Sequence, residues 1–74
     1  MPRYRYLLAC PDGERRAFEG AGFGDDTTAE AYGWRLVVEL MREAPDHYRQ
    51  CDLVVIRDET LVGRLSFSHF SRHQ

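Results

Sequence analysis

The stretch DTTAEAYGWRLVVELMREA, residues 26–44, is the long segment of this sequence with helical periodicity, and it decides the fold. Its apolar side chains recur at spacings of three and four, which gathers them on one face of an amphipathic helix. The residues on this face are Ala29, Gly33, Leu36, Val37, Leu40, Met41 and Ala44. Thr27 and Glu30 have the spacing of a capping box at a helix start, and Pro45 disfavours helical dihedrals at the residue before it. The sequence therefore predicts one helix over residues 26–44.

Gly33 lies in the middle of this predicted buried face. Glycine is about 1 kcal/mol less favourable than alanine in a helix interior, so its presence indicates a neighbour that leaves no room for a side chain. We expect Gly33 to be a packing residue against Phe18 or Phe67, and not part of a functional site.

The length and composition indicate a single globular domain. A chain of 74 residues is close to the size at which one core only just offsets the entropy of ordering the chain, and such chains often gain stability by oligomerising. The net charge of −2 gives no general attraction to nucleic acids or to anionic membranes. All 10 basic residues are arginine, which a compositional bias of the source genome explains more simply than selection at every position.

The location of the protein is predicted from two missing signals. The sequence has neither the apolar run of a signal peptide nor the roughly 18 apolar residues of a membrane span. We therefore expect a cytoplasmic protein that does not interact with membranes. In the cytosol Cys10 and Cys51 are expected to be reduced, since two cysteines do not make a disulfide framework.

Two strands are predicted before the helix. Residues 3–10 are rich in β-forming side chains and end at Pro11-Asp12-Gly13, whose turn chemistry favours a hairpin into residues 14–19. The second strand is short and charged, which suits the edge of a sheet. Three glycines in residues 20–24 precede the helix, but their spacing does not fit a phosphate-binding loop. We interpret this segment as a flexible connection.

Two more strands are predicted after the helix. Residues 51–57 contain an apolar run without alternation, which is typical of a strand buried on both faces. Residues 58–60 form a turn into residues 61–70, where apolar and polar side chains alternate. The alternation puts Leu61, Gly63, Leu65 and Phe67 on one face and Val62, Arg64, Ser66 and Ser68 on the other. The predicted fold is α+β with the order ββαββ, a four-stranded, mainly antiparallel sheet with one helix packed on one face.

The sequence combines a Met-Pro-Arg-Tyr start, a turn at Asp12-Gly13, an acidic helix start and a last hairpin that turns at Asp58-Glu59. In these features it resembles a family of short bacterial ββαββ proteins that is classed as a domain of unknown function. The chain departs from the family pattern at Thr60, near which the resemblance implies a glycine. The resemblance supports the ββαββ fold and implies no particular activity.

Two residue pairs have spacings seen in metal sites, His47 with Cys51 and His69 with His73. A thiolate with imidazoles would suit zinc if Cys51, His47 and His69 converged in the fold. The chain has no Cys-x-x-Cys motif, however, and solvated histidines beside a packed cysteine are the simpler interpretation. Neither Cys10 nor Cys51 lies in a recognisable nucleophile motif. We expect a non-enzymatic protein with no catalytic residue, bound metal or cofactor, and a metal-binding or thiol-dependent protein is the second alternative function.

The run Arg3-Tyr4-Arg5-Tyr6 supports an alternative function. Guanidinium groups and aromatic rings on a sheet can bind phosphates and stack single-stranded bases. Strand alternation points Arg3 and Arg5 to one face and Tyr4 and Tyr6 to the other. Together with Arg64, these residues make the chain a candidate nucleic-acid-binding module, and this interpretation requires that the three arginines share one surface.

The leading hypothesis is a self-associating interaction module. One helix covers one face of a four-stranded sheet but not both. Leu7, Val54, Ile56, Val62 and Arg64 are therefore expected at an uncovered face. An exposed apolar patch on so small a protein usually marks an interface. We predict a homodimer formed through the open sheet face or an edge strand, with an unidentified protein partner as the other possible occupant.

Overall fold

The structure, a computed structural model, describes residues 2–71 and, within them, all side chains except those of Ala21, Phe70 and Ser71. The elements are β1 (Arg3–Ala9), β2 (Arg15–Gly22), α1 (Asp26–Glu43), α2 (Pro45–Tyr48), β3 (Asp52–Arg57), β4 (Thr60–Ser66) and α3 (Phe67–Ser71). The predicted α+β class is confirmed, because the four strands form a single sheet and the main helix lies between the second and third strands in the order of the chain.

The strand order across the sheet is β2-β1-β3-β4, and each neighbouring pair is antiparallel. The central strands are therefore β1 and β3, and the edges are β2, as predicted, and β4. Side chains of β3 alternate between buried and half-buried, because α1 packs on one face of the sheet. The prediction that β3 is buried on both faces is thus wrong.

The β3–β4 hairpin turns at Asp58 and Glu59. Both residues have positive φ, 45° and 71°, and they connect the paired residues Arg57 and Thr60. Two consecutive residues with positive φ are typical of a type I′ turn, whose twist matches that of the strands. The turn therefore forms at the predicted position without the glycine that the family resemblance implied.

The start of α1 is capped by Asp25. Its Oδ1 accepts a hydrogen bond of 2.8 Å from the backbone N–H of Thr28, so one of the free N–H groups at the helix start is satisfied. The predicted capping box at Thr27 is wrong, because the aspartate two residues earlier takes this role. At the other end the backbone N–H of Ala44 donates to the carbonyl of Leu40, and Pro45 begins α2.

Two strands have ends that differ from the prediction. The second strand extends beyond residue 19 to Gly22, which pairs with Arg3. At Gly20 a Cβ atom would lie 2.8 Å from Cε1 of Tyr6 and 2.9 Å from the carbonyl oxygen of Tyr4, so only glycine allows this close approach. The last strand ends at Ser66, because the chain turns into α3 and brings Phe67 into the core.

The core lies between α1 and the inner face of the sheet. It is formed by buried side chains of β1, α1, α2, β3 and β4 together with Cys10, Cys51 and Phe67. Gly33 is buried, and a Cβ atom there would lie 2.7 Å from Cδ1 of Leu65 and 3.2 Å from Cε2 of Tyr6. The packing role predicted for Gly33 is confirmed, with Leu65 and Tyr6 as its neighbours in place of Phe18 or Phe67.

Candidate functional site

Cys10 and Cys51 form a disulfide. Ala9 and Asp52 are paired in the antiparallel register of β1 and β3. Cys10 follows Ala9 and Cys51 precedes Asp52, so the two cysteines lie opposite each other at the end of the ladder. Their Cα atoms are 4.2 Å apart, close to the roughly 4.5 Å of a non-hydrogen-bonded cross-strand pair. The prediction of two reduced thiols is wrong, because the antiparallel register brings the cysteines together.

Glu14 and His47 lie beside this disulfide. The Nε2 of His47 and Oε1 of Glu14 are 2.6 Å apart, and the Sγ of Cys10 lies within 4.8 Å of one ligand atom of each. The His47 ring packs edge-on against Tyr48, with centroids 4.8 Å apart. His69 packs instead beside Trp34, so it is not part of this cluster, and His73 lies outside the described residues.

The face of the sheet opposite α1 carries a row of apolar side chains. Leu7 of β1 pairs with Ala17 of β2 on one side and with Val54 of β3 on the other. Two residues further along β3, Ile56 pairs with Leu61 of β4, and Leu61 is 66% exposed. The main helix α1 packs on the other face of the sheet, and we call this surface the open face.

The position of Val62 differs from the prediction. The β3–β4 register shifts between Val55 and Ile56, so that Val55 pairs with Gly63 while Ile56 pairs with Leu61. Val62 is the extra residue of this bulge, and its side chain packs against the core. Strict alternation predicted Val62 on the open face and Leu61 on the inner face, and the bulge exchanges the two.

The candidate nucleic-acid residues fall on two faces. Arg3, Arg5 and Arg64 are exposed on the open face, as that interpretation requires. Tyr4 and Tyr6 are fully buried under α1, so the prediction that they contact bases is wrong. Because β-strand side chains alternate, the tyrosines complete the core while the arginines between them face solvent.

The buried tyrosines have hydrogen-bond partners on α1. The Tyr6 hydroxyl donates to the carbonyl of Ala29 at 2.6 Å, and burial raises the pKa of Tyr6 to about 12. The Tyr4 hydroxyl donates to Oδ1 of Asp26, also at 2.6 Å. This hydrogen bond is the main reason that the pKa of Asp26 lies below its ordinary value, and the guanidinium of Arg57, 2.8 Å from both carboxylate oxygens, lowers it further.

Charges of both signs surround the apolar row of the open face. At one end Arg3 and Arg5 lie with Glu19, Asp58 and Glu59 around a shallow depression. At the other end Arg64 forms an ion pair of 3.7 Å with Asp52. The arginines therefore do not form a purely basic surface.

The described helices include none that is both long enough and apolar enough to span a bilayer. The chain matches no model of a protein family, no curated protein and no solved structure. The predicted family resemblance and the bacterial source therefore stay predictions.

Proposed function

We propose that this chain is a non-enzymatic interaction module that forms a homodimer through the open face of its sheet. The observation that carries the proposal is the row formed by Leu7, Val54, Ile56 and Leu61, which α1 leaves uncovered. Burying such side chains stabilises an assembly by about 25 cal/mol per Å² of apolar surface removed from water. A second sheet packed about 10 Å away would provide this burial.

The distribution of charge around the row favours a second copy of the same chain. In a two-fold dimer each contact occurs twice with the roles of the two chains exchanged, so the surface must be complementary to itself. Each end of the open face carries both arginines and carboxylates, Arg5 with Glu19 at one end and Arg64 with Asp52 at the other. Either end of one open face can therefore lie against the same end or the opposite end of the partner's open face, and neither arrangement brings together charges of only one sign.

The size of the open face sets the expected affinity. Four strands spaced about 4.8 Å apart, each contributing about six residues at 3.3 Å, give a face of about 400 Å². Two such faces bury about 800 Å² in total, which is below the standard size of a stable interface and typical of weak association. We therefore expect a monomer–dimer equilibrium with a Kd in the micromolar range, about 10–100 µM.

Sedimentation equilibrium from about 10 to 200 µM, a range that spans the expected Kd, tests the proposal. The weight-average mass should rise from that of the monomer towards that of the dimer. Leu61→Lys should shift the equilibrium to the monomer, because it places a charge in the apolar row at an already exposed position. Ala31→Lys is the matched control, since Ala31 is exposed on α1. A monomer at all concentrations, or equal effects of both variants, contradicts the proposal.

A nucleic-acid-binding module is the second candidate, supported by the shared surface of Arg3, Arg5 and Arg64. It lacks stacking platforms from Tyr4 and Tyr6, which are buried, and carboxylates lie among its arginines. Fluorescence anisotropy with a labelled single-stranded RNA separates the two functions. Binding tighter than about 10⁻⁴ M that weakens steeply with salt and is lost in Arg5→Gln supports the second candidate.

A further inference from the structure

We propose that the reduced form of this protein binds one zinc ion through Cys10, Cys51, His47 and Glu14, and that the disulfide is the metal-free state of the same site. The inference is independent of the proposed dimer, because these residues lie on or beside the inner side of the sheet and not in the apolar row of the open face. It rests on the ligand atoms of Cys10, Glu14 and His47, which lie within 4.8 Å of one another, and on Cys51, whose sulfur is bonded to that of Cys10.

The fold brings these four side chains together from two segments of the chain. Cys10 and Glu14 flank the β1–β2 turn, where the backbone N–H of Cys10 donates to the carbonyl of Glu14 at 3.2 Å. His47 lies on α2, and Cys51 follows it by four residues, with its Sγ 3.7 Å from the carbonyl oxygen of His47. The cross-strand position of Cys10 and Cys51 joins the two segments.

The distances fit a tetrahedral site after small rearrangements. The Sγ of Cys10 and one ligand atom each of Glu14 and His47 already lie within 4.8 Å of one another. Zinc–ligand distances of about 2.0–2.3 Å place neighbouring ligand atoms about 3.3–3.8 Å apart. The side chains of His47 and Glu14 are 42% and 30% exposed, so both have room to separate from their present 2.6 Å contact.

The donor set selects zinc over the hard cations. Thiolate sulfur and imidazole nitrogen are ligands that Zn²⁺ accepts in tetrahedral sites, whereas Mg²⁺ and Ca²⁺ prefer oxygen donors. Four protein ligands make a closed site of the structural kind, with no position left for a substrate. The predicted set of Cys51, His47 and His69 thus shares two residues with this site, and the antiparallel register adds Cys10 and Glu14 in place of His69.

The reaction that opens the site is the reduction of a disulfide. A dithiol reductant transfers two electrons and two protons to the Cys10–Cys51 bond, which breaks to give two thiols, and the reductant becomes a disulfide itself. Zn²⁺ then replaces the two thiol protons, which are released to solvent. Because a sulfur atom in a disulfide is not a thiolate, the oxidised protein is expected to lack this affinity.

Zinc binding by the full chain tests the inference. The protein is prepared oxidised, or reduced with a water-soluble phosphine, which takes up oxygen from water as two thiols form. Binding of Zn²⁺ is measured by competition with a chromogenic chelator. In a second experiment Co²⁺ is added in place of Zn²⁺, because a Co²⁺ ion with tetrahedral thiolate ligands has characteristic visible absorption bands. We expect one Zn²⁺ per reduced chain with a Kd below about 1 µM, and binding at least a hundredfold weaker in the oxidised protein.

Variants separate this site from an ordinary disulfide beside a surface ion pair. His47→Gln and Glu14→Gln should each weaken zinc binding by at least about tenfold. The matched controls are His69→Gln and Asp46→Asn, and the side chain of Asp46 is 98% exposed. If both site variants bind zinc as tightly as the parent, or if the reduced and oxidised forms bind it equally, the inference is wrong.

Circular dichroism of the reduced protein covers the case in which reduction unfolds the chain. A reduced chain that unfolds without metal and refolds with one equivalent of Zn²⁺ supports the site, because metal binding and folding are then coupled. A reduced chain that neither binds nor refolds with Zn²⁺ overturns it, as does a folded reduced chain that does not bind.

Discussion

Replacing Gly33 by alanine tests the packing of α1 on the sheet. The new Cβ would lie 2.7 Å from Cδ1 of Leu65, about 0.8 Å closer than the shortest favourable distance of about 3.5 Å between carbon atoms. Leu65 is buried and pairs across the sheet with Leu53, which is fully buried. On the other side the ring of Tyr6 is held by its hydrogen bond to Ala29. Neither neighbour can move without disturbing further core contacts.

The expected change in stability is the difference of two effects. Alanine gains up to about 1 kcal/mol of helix propensity over glycine, and overpacking a core typically costs about 1–3 kcal/mol. We expect Gly33→Ala to lower the free energy of unfolding by about 1 kcal/mol. For so small a domain the free energy of unfolding falls by about 1 kcal/mol for each 1 M of urea, so the urea midpoint should fall by about 1 M.

Gly24→Ala is the matched control for this substitution. A Cβ atom at Gly24 would meet nothing within 4 Å, and its φ is not positive. Alanine there should leave the midpoint unchanged or raise it, because it reduces the conformational entropy of the unfolded chain. A higher midpoint for Gly33→Ala at unchanged slope would refute the argument, since it would mean that Leu65 and Tyr6 yield at no cost.

Three further predictions follow from the bonds of the core. The pKa of Tyr6 is raised to about 12 from 10.0, so its neutral form stabilises the fold below pH 10, and the free energy of unfolding should fall as the pH rises towards 12. In urea unfolding the Tyr6→Phe variant should lose less stability than the parent over this pH range. Because the pKa of Asp26 is lowered in the folded state, its ionised carboxylate stabilises the fold above pH 3.8. Asp26→Asn should therefore be less stable than the parent at pH 7, and the urea midpoints of the two proteins should converge as the pH falls through the folded-state pKa. The Cys10–Cys51 bond closes a loop over a separation of 41 residues, so Cys10→Ser should lower the free energy of unfolding by about 2–4 kcal/mol, measured by thermal unfolding.

The sequence predicted the elements well where local patterns decide them. The periodicity of residues 26–44 predicted a helix that the structure has at Asp26–Glu43, and the turn residues predicted both hairpins. Errors arose where tertiary contacts compete with local pattern. Phe67 leaves the strand pattern to enter the core as the first residue of α3, and Gly20 continues β2 because the Tyr6 ring lies against it.

The candidate site was less predictable because it depends on strand order. Cys10 faces Cys51 only because β1 lies next to β3, and neither a single-strand pattern nor the hairpin turns specify this pairing. Once β1 and β3 are paired through their apolar residues, Leu8 with Leu53 for example, the register carries the cysteines to opposite positions. The exchange of Leu61 and Val62 depends on one bulge, which alternation cannot predict.

The most direct test of the proposed dimer is an intermolecular nuclear Overhauser experiment on a mixture of labelled and unlabelled chains above the dissociation constant. We predict contacts between the methyl groups of Leu7, Val54, Ile56 and Leu61 of one chain and the same open face of its partner. A filtered spectrum without contacts between these methyl groups, at a concentration where sedimentation shows a dimer, would place the interface elsewhere and contradict the account.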